Sequence, residues 1–155
     1  MIEKGQHFPT FSLPNQDGVW ITNQDHAGKW AVFFLYPKDD TPGCTLESQA
    51  FSARKKDFDA LNVCVYGLSQ DSVSSHQAFC KKYSLATQML SDENQELLKA
   101  LDLGQSQWKG QSFWDRTTVV VNPQGNIQTI YKNVDPRGHE LQVLQDIQRW
   151  MGERS

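Results

Sequence analysis

The residues of this chain best suited to covalent chemistry are its three cysteines, Cys44, Cys64 and Cys80. Cys44 closes the run Pro37-Lys38-Asp39-Asp40-Thr41-Pro42-Gly43-Cys44, which is turn chemistry followed by a helix start. Thr41 is a suitable N-cap and Pro42 a favoured first helical residue, so Cys44 falls in the first turn. Backbone N–H groups there have no intrahelical partner, and the helix dipole favours negative charge. Both effects stabilise a thiolate over a thiol. A free cysteine titrates near ~8.5, whereas cysteines at helix N-termini fall to roughly 3.5–7.5. The Thr41 hydroxyl is also placed to hydrogen-bond the sulfur or an oxygen beside it. Residue types alone leave two readings open: a nucleophile, or a cysteine that fills space behind an ordinary cap.

The surrounding pattern shows what must hold Cys44. Trp30 to Tyr36 is a continuous apolar run of strand length, as in a strand buried on both faces. Leu46, Phe51, Phe58 and Leu61 then recur at helical spacing, which predicts a helix from about Cys44 to Ala60. Cys44 therefore lies past the carboxyl end of a central strand, where open α/β sheets place their sites. Val63–Leu68 reads as a second buried strand, and Asp71 or Ser72 as the cap of a helix carrying His76, Phe79, Cys80 and Tyr83. Met89-Leu90 is a short strand, and Ser91-Asp92-Glu93-Asn94 starts a helix reaching about Leu101. Upstream, Phe8–Leu13 reads as an edge strand, with Val19–Ile21 returning as a hairpin arm and 26–29 as a loop. Thr117–Val121 and Ile127–Tyr131 flank a Pro-Gly loop as an antiparallel hairpin. Leu141, Leu144, Ile147, Trp150 and Met151 mark a C-terminal amphipathic helix. Leu103 to Asp115 matches no element. The expected fold class is α/β: one domain over 1–155, a mixed central sheet with helices on both faces, and an N-terminal hairpin.

Composition narrows the function classes. The chain has 155 residues, 38% hydrophobic, and a formal charge of −3 with acids and bases mixed, which argues against a nucleic-acid surface. No apolar run approaches the ~20 residues of a membrane span, and Met1–Gly5 lacks a signal-peptide layout. A soluble cytoplasmic protein is expected, with its cysteines as thiols. Cys64, in a buried strand, is read as a packing residue.

Tyr36-Pro37-Lys38-Asp39-Asp40-Thr41-Pro42-Gly43-Cys44-Thr45 resembles the active-site signature of the peroxiredoxin Q, or bacterioferritin comigratory, family. The resemblance extends through Phe11-Ser12-Leu13, Gly67–Ser72, Leu90-Ser91-Asp92 and Arg116-Thr117-Thr118. It implies a thioredoxin-like fold and reduction of hydrogen peroxide and organic hydroperoxides, with thioredoxin or a similar thiol as reductant. It also implies a monomer. Carried over by position, Cys44 is the peroxidatic nucleophile, Thr41 and Pro37 shape its pocket, and Arg116 completes it. No cofactor or metal is implied, because sulfur carries the redox chemistry. Many members place a resolving cysteine five residues after the nucleophile, where this chain has Gln49. A subset places it on the second helix, which assigns that role to Cys80. Because a disulfide needs Cα atoms within roughly 7 Å, one or both helices should unwind after Cys44 is oxidised.

Three other readings remain: a one-cysteine peroxidase resolved by an external thiol, a binding or chaperone protein without turnover, and a metal module using His76 and Cys80 one helical turn apart. On the peroxidase reading, His76 is expected to be an exposed helix residue.

Overall fold

The computed structural model describes residues 2–153. The N-terminal hairpin is shorter than the alternation implied, pairing β1 (Ser12–Pro14) with β2 (Trp20–Thr22). Phe8 and Phe11 lie outside the strand but send their rings into the core, so hydrophobicity, not strand geometry, sets that alternation. A single 3-10 turn follows at Asn23–His26, capped by the Thr22 hydroxyl.

The central sheet has the order β5-β4-β3-β8-β9. Its members are β3 (Ala31–Leu35), β4 (Cys64–Ser69), β5 (Gln88–Ser91), β8 (Thr117–Val121) and β9 (Ile127–Tyr131). β3, β4 and β5 run parallel, while β8 and β9 add antiparallel to the other side of β3. The Asn122–Asn126 turn joins β8 to β9 as expected.

Every residue of β3 is buried, and its alternation divides the core. Ala31, Phe33 and Leu35 face the N-terminal hairpin and α4 (Glu96–Leu101). Val32 and Phe34 face Phe51 of α1 (Pro42–Ala53), Phe58 of α2 (Lys55–Ala60), Phe79 of α3 (Val73–Tyr83) and Ile147 of α5 (His139–Glu153). Each such ring taken from water contributes roughly 1.5–3 kcal/mol. This is the mixed sheet with helices on both faces that the pattern implied, and it places Cys44 and Cys80 in the same core layer.

Three expectations need correction. The helix carrying Cys44 starts at Pro42, as its cap implied, but it breaks at Arg54 instead of continuing to Ala60, giving two helices. Helix α4 starts at Glu96, because Ser91 belongs to β5 and Asp92 turns inward to accept from the Leu98 N–H at 2.8 Å. The stretch after Leu103 forms a second hairpin, β6 (Gln105–Trp108) with β7 (Gln111–Trp114). Its two-residue turn, Lys109-Gly110, has φ of 51° and 77°, as a tight hairpin turn of that handedness requires. Among the described residues, no helix is long and apolar enough to cross a membrane.

Candidate active site

The loop from Tyr36 to Thr41 leaves the end of β3 and turns into α1, as expected. Thr41 is the N-cap in an extended conformation, and Thr45 N–H makes the first intrahelical bond to its carbonyl at 2.8 Å. The N–H groups of Gly43 and Cys44 therefore have no intrahelical acceptor. The Thr41 hydroxyl does not bond the sulfur. It donates to the Lys38 carbonyl at 2.8 Å and tightens the loop.

Cys44 is 1% exposed, and Arg116 is brought to it by β8. One guanidinium nitrogen lies 3.4 Å from the Cys44 Sγ; the other donates to Glu47 Oε1 at 2.9 Å. Arg116 is thus no surface ion-pair residue: its side chain is 16% exposed and that of Glu47 almost fully enclosed. Burial pushes the Glu47 carboxyl up to about 7 against the pull of Arg116, with Glu140 adding to the rise. The second Glu47 oxygen has no hydrogen-bond partner. The sequence reading missed Glu47, although an acid one helical turn after a candidate nucleophile was the available signal.

Gly43 also has a definite task. A Cβ built on it would lie 2.8 Å from the Arg116 Nη2, so any side chain there presses on the guanidinium. His139 lies behind this cluster, donating to or accepting from Thr118 Oγ1 at 2.7 Å. Burial, then the Arg116 charge, holds its imidazole down at about 4.

Cys44 opens into a cavity of about 470 Å³. Pro37, Lys38, Thr41 and Pro42 form one side, Arg116 lies at the base, and Trp108, Phe113 and Trp114 of the second hairpin form the other. The aromatic trio divides. Trp108 is 64% exposed with Lys109 Nζ 4.6 Å from its ring, Phe113 is half-buried, and Trp114 is buried with its indole N–H donating to Gln95. Two near-identical segments, Gln105-Ser106-Gln107-Trp108 and Gln111-Ser112-Phe113-Trp114, flank the Lys109-Gly110 turn. That repeat was the legible sign of the hairpin.

Cys80 sits on α3, nearly buried, and its thiol is pushed up to about 12 by burial, with Asp39 and Asp17 adding. None of the three cysteines is in a disulfide, and Cys64 is half-buried on β4. His76 is not the exposed residue expected, being fully buried. Its Nδ1 lies 2.7 Å from Asp39 Oδ2 and its Nε2 2.9 Å from the Leu90 carbonyl. Both ring nitrogens thus face protein partners, not a ligand position shared with Cys80. Asp71 brings a third ligand atom within 4.8 Å of those of Asp39 and His76, but it already accepts from Ser69 and from the Asp39 N–H.

The AhpC/TSA family model matches residues 4–130. The chain belongs to the AhpC/TSA family. The putative peroxiredoxin bcp of Helicobacter pylori is 39% identical over 149 residues, spanning 94% of this chain and 98% of that one. The chloroplastic peroxiredoxin Q of Populus jackii is 36% identical over 95% of this chain and 68% of its own length. Among solved structures, a Cys-to-Ser mutant of Xylella fastidiosa PrxQ superposes with a TM-score of 0.92 at 28% identity, covering 97% of this chain and 98% of that one. The bacterioferritin comigratory protein of Xanthomonas campestris, described for alkyl peroxide reduction, gives 0.84 at 32% identity over 90% of each chain. The thioredoxin-like fold and the membership among peroxiredoxins of the Bcp and Q type are therefore established. So is the reaction class: this peroxiredoxin is a thiol peroxidase that uses a hydroperoxide and a thiol reductant.

Proposed function

We propose that Cys44 is the peroxidatic nucleophile, that Cys80 resolves its sulfenic acid as an intramolecular disulfide, and that thioredoxin or a similar dithiol protein reduces that disulfide. The observation that carries the first assignment is the Arg116 guanidinium at 3.4 Å from the Cys44 sulfur, beside two first-turn N–H groups with no intrahelical acceptor. A cysteine that only filled space would need none of these donors.

The chemistry follows from the arrangement. The Cys44 thiolate attacks one oxygen of the hydroperoxide, and the O–O bond breaks as S–O forms. The departing oxygen gains negative charge and leaves as water or an alcohol after taking a proton. Arg116, cationic at any working pH, and the first-turn N–H groups stabilise charge on sulfur and on the departing oxygen. Thr41 and Pro37 act by shape: the hydroxyl–Lys38 bond and the fixed proline hold the wall against which peroxide is oriented.

The cavity supports organic hydroperoxides as substrates beside hydrogen peroxide. Hydrogen peroxide needs roughly twice the ~30 Å³ share of a water molecule, far less than this cavity offers. The remainder is faced by Pro42, Trp108 and Phe113. The resemblance to peroxiredoxin Q supports the finer expectations: a single domain, a monomer, thioredoxin as donor and a cytoplasmic location.

The deciding experiment treats reduced protein with one equivalent of hydrogen peroxide, traps free thiols and maps the products by peptide mass spectrometry. We expect a Cys44–Cys80 disulfide in wild type, absent from Cys44→Ser and Cys80→Ser, with sulfenic acid at Cys44 in the latter. Oxidation of Cys44 without the disulfide, and full turnover in Cys80→Ser, would move the enzyme to the one-cysteine class. A Cys44 slow to oxidise would remove it as the nucleophile.

A further inference from the structure

Two consecutive acids tie the loop before Cys44 to the helix that carries Cys80, one on each side of that cysteine. Asp39 takes the inner side. Its Oδ2 accepts from Ser75 Oγ at 2.8 Å and meets His76 Nδ1 at 2.7 Å, while Oδ1 accepts from Tyr36 OH at 2.6 Å. Asp40 takes the outer side, its two oxygens accepting from Lys82 Nζ at 2.7 Å and Tyr83 OH at 2.6 Å. Asp40 holds a φ of 59°, a conformation unfavourable for a non-glycine residue that these partners fix.

The inner contact is a strong one. The Leu90 carbonyl only accepts, so His76 Nε2 carries a hydrogen. A proton must also lie between Nδ1 and the Asp39 carboxylate, or two lone pairs would face each other. The resulting proton-sharing pair is buried, so moving α3 away breaks it at a cost that the remaining Tyr36 contact and entering water offset only in part. Neither Asp39 nor His76 borders the cavity at Cys44, so neither touches peroxide.

We propose that Asp39 and Asp40 form a two-point clasp on α3, with His76 and Tyr83 as positioning residues, and that opening this clasp sets the rate at which Cys80 reaches oxidised Cys44. The proposal rests on the assignment of Cys80 as the resolving cysteine. In the step controlled, the Cys44 S–OH bond breaks and the Cys44–Cys80 S–S bond forms. The sulfenic sulfur is reduced, the Cys80 sulfur is oxidised, and the thiol proton leaves with the hydroxide as water. Cys80 is 9% exposed within an intact helix, so the step runs at its intrinsic rate multiplied by the fraction of molecules with α3 open. A weaker clasp raises that fraction. It thereby shortens the time a sulfenic acid waits for a second peroxide, which would carry it to sulfinic acid.

The test follows a single turnover by rapid mixing in wild type, Asp40→Asn/Tyr83→Phe and His76→Asn. It reads the second-order oxidation of Cys44, the first-order formation of the disulfide, and the sulfinic fraction under excess peroxide. The double variant changes only exposed contacts, and asparagine suits the backbone at 40, so it folds even if His76→Asn does not. The expected result is disulfide formation faster by about threefold to fivefold in the double variant, and by about tenfold or more in His76→Asn. Cys44 oxidation stays within about twofold and sulfinic acid decreases. Amide exchange across residues 75–85 should quicken in parallel. A first-order phase present in wild type but unmoved in the folded variants overturns the clasp alone. A wild type with no such phase overturns the assignment of Cys80 and the clasp with it.

Discussion

Arg116 meets the sulfur of Cys44 at 3.4 Å from 72 positions along the chain, and the same guanidinium is held by Glu47 at 2.9 Å. The carboxylate fixes the cation, and the cation addresses the sulfur. Replacing Arg116 with methionine should lower the second-order rate with hydrogen peroxide by about 10²–10³, the scale for losing one preorganised electrostatic donor. It should also cost about 3 kcal/mol of stability, because Glu47 is left buried without its partner. Adding Glu47→Leu should restore most of the stability, read by urea unfolding, and none of the rate. Recovery of both would show that Arg116 is only structural.

Gly43 gives a second handle on the same contact. Alanine is a better helix former by about 1 kcal/mol, and the backbone at 43 is ordinary helix. Yet its methyl would sit 2.8 Å from Arg116 Nη2. Gly43→Ala should therefore lower the peroxide rate by about tenfold to a hundredfold as the guanidinium is displaced. Thermal stability should be unchanged or lowered, because strain on the buried Arg116–Glu47 pair offsets the gain in helix propensity. An unchanged rate would mean that Arg116 has room to move without consequence.

The aromatic side of the cavity should separate substrates. Trp108→Ser and Phe113→Ala each remove apolar surface that an organic tail would cover. About 50 Å² of lost contact corresponds to roughly 1.3 kcal/mol, or about tenfold in kcat/KM for cumene hydroperoxide. Hydrogen peroxide has no tail, and its kcat/KM should stay within about twofold. Equal losses for both substrates would indicate a general disturbance of the site.

Two buried groups give stability opposite pH slopes. Glu47 titrates higher in the fold, at about 7, than in the unfolded chain. The folded state binds the extra proton between about 4.5 and 7, so this contribution is present at low pH and lost as pH rises through that window. His139 titrates lower in the fold, at about 4 against an ordinary 6.5. Its contribution is present above 6.5 and lost as pH falls through the window to 4. Each is on the order of 3 kcal/mol. Burial also lowers His26, which adds to the slope of His139. Unfolding free energies from pH 4 to 8 should differ from wild type with a positive slope in Glu47→Gln and a negative one in His139→Gln. Difference curves flat across the range in both variants would contradict these assignments.

What could be read from the chain by itself is what depends on neighbours in sequence. The apolar run at Trp30–Tyr36 was legible as a doubly buried strand because both faces of β3 are covered. Thr41-Pro42 was legible as a helix start because cap and first-turn preferences are set by local backbone geometry. A thiol in a helix's first turn is likewise a local arrangement, but it left a nucleophile and a packing residue both open; peroxide chemistry came from the resemblance of Tyr36–Thr45 to the peroxiredoxin Q signature. Local patterns failed where burial came from elsewhere. Phe8 and Phe11 imitated a strand because the core, not a neighbouring strand, takes their rings. His76, read as exposed, is enclosed because a loop 37 positions earlier in the chain supplies Asp39 to it. The placing of Arg116 and Glu47 against Cys44, of the Trp108 hairpin across the cavity, and of two acids on α3 needed the assembled sheet. Each joins residues whose approach costs chain entropy that only the completed core offsets.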